Sequence, residues 1–294
     1  MRSPQTFGVH PTPRSNTDQI ADQVTGVGGD GADRLMWLTP QRVFYAGLLG
    51  AAGERSFGGY AVYVSPPGRP NRIRVGDGAW RSGELIVVPP GVPHRVQSVG
   101  RSILNLLIEA ETVEAGSLPQ WLQHCGPVDA PEALQRVRAT HALLAGLPPA
   151  AEGLNDCSGR DFDALFFGAA LAPRTIDARV QRVIDRIVGE PSQALSAQAC
   201  AAAAGLSFSR FLHLFKQQTG VAFRAFRAWK RARSLLRYVR HASSLTDIAL
   251  DAGYPDSTHF SHSIRQVYGL SPSDIVSGSR RLRLHDAIRQ ATLH

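Results

Sequence analysis

Cysteine is scarce in this chain. Cys125, Cys157 and Cys200 are odd in number and widely spaced, which excludes a disulfide framework and the paired spacing of a zinc site. No stretch reaches the ~18 uncharged apolar residues of a membrane span. Residues 1–32 lack the charged-then-apolar pattern of an export signal. They are polar, with Pro4, Pro11 and Pro13 and a Gly26-Val27-Gly28-Gly29-Asp30-Gly31 run, and read as a disordered tail. The expected location is the cytoplasm, with no membrane contact. Lysine is nearly missing: Lys216 and Lys230 are the two in 294 residues. Arginine therefore carries almost all of the positive charge.

That charge is unevenly spread. Residues 1–175 hold 15 Lys/Arg and 16 Asp/Glu, a net −1; residues 176–294 hold 17 and 8, a net +9. A neutral first half joined to a basic second half fits a polyanionic partner for the second half alone. The length predicts about two domains, and a 43% apolar share is enough for ordinary cores.

The first half reads mostly as strands. Residues 60–64, 72–75, 85–88 and 102–108 are short and β-branched or aromatic, separated by Pro66-Pro67-Gly68, Gly76-Asp77-Gly78, Pro89-Pro90-Gly91 and Gly100. Such regular spacing predicts a small antiparallel barrel. Helical spacing follows over 131–145, stopped by Gly146 and Pro148-Pro149, and over 162–171, with a loop at 150–160 between them. From Asp177 onward everything reads helical: 177–188, then a helix capped by Ser196, one capped by Ser207, the stretch 223–239, then 245–252 and 256–268. Ser271-Pro272-Ser273 opens a further helix, and 280–294 reads as a basic terminal helix or frayed tail. In 223–239 the pattern places Phe226, Trp229, Leu235 and Leu236 inside and Arg224, Arg227, Lys230, Arg231, Arg233 and Arg237 outside.

Two of these helix pairs repeat one pattern. Each has a short Ala-rich helix, a Gly at the turn, a capping Ser207 or Asp256, and a basic amphipathic helix stopped by Gly220 or Gly269. His213 and His262 hold the same place, 49 positions apart. This is a tandem helix-turn-helix, whose second helices enter major grooves and carry side chains to base edges. Phe211, Leu214 and Phe215 should face the first core, leaving Ser209, Arg210 and His213 outward, with Lys216 further along. Phe260, Ile264 and Val267 should face the second, leaving Thr258, His259 and His262, with Arg265 beyond. Arg210 can bond guanine in bidentate fashion; the second helix has no such long reader, so the first is expected to supply more base specificity. Arg231 on the linker is expected at phosphates.

At these residues the chain resembles the AraC/XylS family of transcription regulators, over about 177–275. The family pattern appears as Gly253-Tyr254, Phe260, Ile264-Arg265 and Gly269-Leu270-Ser271-Pro272. It appears also as Ser207, Phe215-Lys216 and Gly220 in the first motif and Phe226, Arg231 and Leu235-Leu236 in the linker. Departures are His213 and His262, where Arg is usual, and Ile264, where Phe is usual. A His at these places offers pH sensitivity near neutrality.

The stretch from Ser82 to Val96 resembles the cupin-type barrel that precedes the DNA-binding part in many members. Enzymatic cupins hold a metal with several His and a Glu. Here 54–62 contains no His, so His94 alone makes no metal centre, and neither metal, cofactor nor catalytic residue is expected. A barrel mouth suits a small effector, with Phe57, Tyr60, Tyr63, Trp80 and His94 as candidate lining residues. Alternation sends Tyr60 and Tyr63 to opposite sides.

The expected fold class is α+β: a cupin-like antiparallel barrel (33–120), helices for linking and dimerisation (121–172), an all-α tandem helix-turn-helix domain (173–279) and the tail 280–294. The resemblance implies an effector-responsive activator, a homodimer that binds double-stranded promoter DNA and contacts RNA polymerase. A cupin-type metalloenzyme tethered to DNA and an architectural DNA-binding protein without an effector remain the alternatives.

Overall fold

The computed structural model describes residues 34–50, 53–147, 154–157, 159–236, 245–268, 271–272 and 283–286. The tail 1–32 lies outside these residues, as do 237–244 of the linker and most of 280–294. The first half forms strands β1 (Leu35–Leu38), β2 (Arg42–Leu48), β3 (Gly59–Val64), β4 (Asn71–Val75), β5 (Arg81–Gly83), β6 (Leu85–Val88), β7 (His94–Gln97), β8 (Ser102–Glu109), β9 (Gly126–Pro127) and β10 (Leu154–Asp156). A further strand, β11 (Arg283–Asp286), comes from the far end of the chain.

Among the described residues these strands do not close into one barrel. They form an eight-stranded sheet, ordered β10-β11-β1-β2-β8-β3-β6-β9, and a three-stranded sheet, β5-β4-β7. β11 pairs in parallel with both β1 and β10. Two expectations are corrected here. The stretch 150–160, read as a loop, contributes β10, and 280–294, read as helix or tail, contributes β11. Both are short segments whose partner lies far away in sequence, so local pattern does not reveal them.

The large sheet is covered on both faces, and side-chain alternation sorts its residues between two cores. Leu35, Trp37, Val62, Val64, Leu85 and Val87 point to one side. There they meet helices α1 (Pro131–Ala145) and α2 (Phe162–Phe167), with Trp37 4.9 Å from Phe162 and Phe44 4.7 Å from Phe166, ring centre to ring centre. Helix α2 stops at Phe167 instead of Leu171, because Gly168 adopts a left-handed cap. Met36, Leu38, Ala61, Tyr63, Ile86 and Val88 point the other way, toward Ile73 and Val96 of the small sheet. Burial on both faces is why Leu85–Val88 is apolar at every position.

The second half is helical: α3 (Ala178–Gly189), α4 (Ala197–Ala203), α5 (Phe208–Thr219), α6 (Phe223–Ser234), α7 (Leu245–Asp251) and α8 (Ser257–Tyr268). It has its own core of Val180, Ile184, Phe211, Phe215 and Phe226. Yet Trp229, Leu235, Phe260 and Ile264 belong to the same buried cluster as Tyr63 and Ile86 of the sheet. Phe57 forms the bridge, its ring edge-on to Trp229 at 5.5 Å.

The junction is clamped by charge. Glu109, at the end of β8, accepts hydrogen bonds from Trp229 Nε1 and Lys230 Nζ, both at 2.6 Å, and from Arg233 Nε at 3.2 Å. Lys230 also donates to Glu111. Arg233 reaches the carbonyls of Thr39 at 2.7 Å and Arg42 at 3.3 Å. Arg42 in turn grips Asp163 with two guanidinium nitrogens, at 2.8 and 3.0 Å, tying α2 to the same corner. Lys230 and Arg233, expected on the outer face of the linker, are thus buried. Periodicity could not see this, because their counter-charges lie about 120 residues away.

Burial alone would raise the Glu109 carboxyl, but Lys230 and Arg233 overcome it and hold Glu109 below the ordinary carboxylate range. Burial, reinforced by Glu109, raises Glu111. The two therefore act oppositely with pH. The contribution of Glu109 is complete above the ordinary carboxylate pKa and is lost as pH falls through its lowered value. Glu111 favours the folded state when protonated, and that advantage fades as pH rises through its raised value. Glu109→Gln strands the buried Arg233, leaves Lys230 with Glu111 alone, and is expected to cost about 3–5 kcal/mol in urea unfolding. Glu111→Gln leaves Lys230 paired with Glu109, removes a like-charge neighbour, and should cost clearly less. Equal losses for the two variants would contradict this ranking.

Candidate nucleic-acid interface

The helix pairs α4–α5 and α7–α8 are built alike. After α4, Gly205 takes φ +64°; after α7, Gly253 takes φ +73°, a region costly for residues with a Cβ. At Gly253 a Cβ would also lie 2.6 Å from the Ser192 carbonyl oxygen. Matching hydrogen bonds close the two turns: Leu206 N to Ala201 O at 3.0 Å, and Tyr254 N to Ala249 O at 2.9 Å. The second turn then carries one extra residue, Pro255, before its cap.

The caps are Ser207 and Asp256, as the sequence pattern requires. Ser207 accepts from Arg210 N at 3.3 Å. Asp256 accepts from Thr258 N and His259 N, both at 2.8 Å, and these bonds, that to His259 foremost, hold its carboxyl below its ordinary range. Its other oxygen meets His259 Nδ1 at 2.8 Å, so the His259 ring is partly committed to the cap. Asp256 serves the helix start directly, and any role at DNA is additional to that.

Phe211, Leu214 and Phe215 are buried in the first motif, and Phe260, Ile264 and Val267 in the second. Ser209, Arg210, His213 and Lys216 are exposed on α5; Thr258, His259, His262 and Arg265 are exposed on α8. The expected outward residues therefore share one open face on each helix. Two more stand beside them, Gln217 and Gln266, also exposed. Their spacing of 49 residues, the same as that of the two histidines, could have identified them.

The linker contributes less than its composition promises. Of its six expected outer cations, Arg224 is exposed while Lys230 and Arg233 face Glu109. Arg227 spans to the carbonyls of Leu195 and Gln193. Arg231, expected at phosphates, is half-buried: its guanidinium lies 5.3 Å from the Tyr254 ring centre and its Nε 3.4 Å from the Pro191 carbonyl. It ties α6 to the second motif. Arg237 lies outside the described residues.

In the sheet domain, three of the five candidate lining residues come together. His94 Nδ1 donates to the Val92 carbonyl at 2.8 Å, so its Nε2 accepts from the Tyr63 hydroxyl at 2.7 Å. Phe57 lies 5.6 Å from the His94 ring. Both ring nitrogens are occupied by protein groups, an arrangement unlike a metal ligand. Burial, aided by Arg55, lowers the His94 pKa to about 4. Tyr60 packs with the opposite core, as alternation requires. Trp80 stands elsewhere, facing the guanidinium groups of Arg72 and Arg74 at 5.3 and 5.8 Å.

The fold and site define a sheet domain joined to a tandem helix-turn-helix. Comparison with known proteins agrees. A family described as "Helix-turn-helix domain" matches residues 200–277. The chain is 32% identical over 103 residues to the HTH-type transcriptional activator RhaS of Klebsiella pneumoniae (strain 342), covering 35% of this chain and 37% of that protein. It is 27% identical over 97 residues to the HTH-type transcriptional regulator MtrA of Neisseria gonorrhoeae, covering 33% and 32%. The alignment thus spans about a third of each relative's length. A ToxT variant from Vibrio cholerae strain SCE256, in its apo form, has a similar fold at a TM-score of 0.53, with 11% identity, over 81% of this chain and 97% of that one. The likeness to helix-turn-helix regulators is thus carried by the C-terminal part of the chain, residues 200–277.

Because the folded chain keeps His94 neutral, unfolded chain takes up this proton first as pH falls. Stability is therefore complete above about pH 6.5 and declines toward pH 4, by about 3 kcal/mol for this residue. Urea unfolding across that range should show the decline in wild type, and a shallower one in His94→Gln. Parallel curves would contradict a buried neutral His94.

Proposed function

We propose that this chain is a sequence-specific DNA-binding transcription regulator, an activator that responds to a small-molecule effector in the cytoplasm. The observation that carries this reading is the pair of capped, basic helices whose outward faces are both open while their inner faces are packed. Such helices dock in successive segments of the major groove, about one turn or ~34 Å apart. Ser209, Arg210, His213, Thr258 and His262 would face base edges. Lys216 and Arg265, further along, would meet phosphates, and the start of α5 at Ser207 would approach the backbone, whereas the Asp256 carboxylate already occupies the start of α8.

The sheet domain would be the sensor, its two sheets acting in the role of a cupin-like barrel. An effector lodging beside His94 and Tyr63 would press on Phe57, which touches Trp229. That contact leads straight into α6, the helix between the two motifs. A coupling of about 1–3 kcal/mol would suffice to change how well both motifs fit one DNA site. Helices α1 and α2 would supply the homodimer contact, and activation requires a surface for RNA polymerase.

Footprinting with the full chain on genomic fragments tests the reading: a few discrete protected sites are expected, whereas protection scattered over unrelated sequences would favour an architectural protein. Arg210→Ala should relax preference at one position of the site by about ten-fold. Lys216→Ala should instead weaken all sites evenly and lower the slope of log affinity against log salt by about 1. If Arg210→Ala weakened every sequence equally, Arg210 would be a phosphate contact.

A further inference from the structure

The two outward faces are chemical copies of each other. At the shared spacing of 49 residues stand Ser209 and Thr258, His213 and His262, Lys216 and Arg265, Gln217 and Gln266. All eight are exposed. In order, each face offers a small hydroxyl, an imidazole, a cation and a primary amide. Two differences stand beside them: Arg210, where the second helix has His259, and exposed Phe208, where it has Ser257.

The inner faces share Phe211 and Phe260 but are otherwise less alike. Leu214 corresponds to Ser263, Phe215 to Ile264, Gln218 to Val267 and Thr219 to Tyr268. Packing does not demand the outer match, since these side chains touch solvent. The caps and turns also correspond, so the outer groups start from equivalent backbone positions: Ser207 and Asp256 each accept from the backbone N–H three residues on. Equal side chains on equally placed helices present equal hydrogen-bonding patterns to a groove.

From this we infer that the DNA site consists of two near-identical short elements, about one helical turn apart, each read by one motif. The inference rests on the DNA-binding reading above. Ser209 and His213, in the first two turns of α5, and Thr258 and His262 on α8 read the same bases in each element. Lys216 with Gln217, and Arg265 with Gln266, lie in the third turn and hold the backbone beside it. The elements differ at the position facing Arg210, where bidentate bonding to guanine O6 and N7 is open to the first motif. At the second motif, His259 is tied to Asp256 and makes at most a single bond. On this reading both helices specify alike apart from Arg210, which leaves the first motif the more specific at that one position.

Selection of binding sites from random-sequence duplex DNA with the full chain tests it. Enriched sites should contain two like elements centred about 10–11 base pairs apart. Two unrelated elements, or a single element, would overturn the inference while leaving DNA binding intact. Absence of any enriched sequence would overturn the DNA-binding reading and the inference with it. His213→Ala and His262→Ala, both on exposed positions, should each relax the corresponding base, one in the first element and one in the second, by several-fold. Arg210→His should make the two elements converge at the position that distinguishes them; relaxation at non-corresponding bases would overturn the shared reading.

Discussion

Everything in the second half is placed by one carboxylate. Glu109 ends a strand in the middle of the large sheet, and three donors from adjacent turns of α6 converge on it. With Glu111 it makes two anions against two cations in a buried corner. Such a cluster gains little over an apolar one of the same shape, but losing one member leaves uncompensated charge. It therefore acts more as a locating device than as a source of stability. The apolar contact of Phe57 with Trp229 supplies area; the charges fix which turn of α6 lies against which strand.

That helix serves two assemblies at once. Trp229, Lys230 and Arg233 face the sheet, while Phe226 lies in the core of the first motif and Arg231 reaches the Tyr254 ring of the second. Tyr268 at the end of α8 donates to the Ala232 carbonyl at 3.0 Å. The element that spaces the two motifs is thus the element clamped to the end of β8. Here the second motif shares its core with the sheet, while the first motif keeps a core of its own.

Much of the C-terminal site was legible because its signals are local. Helix starts at Ser196, Ser207 and Asp256, left-handed glycines at Gly205, Gly220 and Gly253, and the buried Phe211, Phe215 and Phe260 all follow from spacings of a few residues. The strands around 59–64, 71–75, 85–88 and 102–109 were equally plain. What escaped is non-local. β10 and β11 need each other and β1. Lys230 and Arg233 lie on what looks like the solvent face of an amphipathic helix until Glu109 and Glu111 are brought up to it. Arg231 carries the charge of a phosphate contact but finds an aromatic ring first.

The sequence by itself determined the helical repeat, its caps and the composition of its outward faces, because hydrophobic period and capping chemistry act over one or two turns. Only the tertiary structure decided which basic residues remain free for another molecule. A cation's availability depends on whether a distant carboxylate, carbonyl or ring takes it, and chain pattern holds no record of that distance. Among the described residues, Arg210, Lys216 and Arg265 stand exposed on α5 and α8, while Arg227, Lys230, Arg231 and Arg233 of α6 are turned to holding the molecule together.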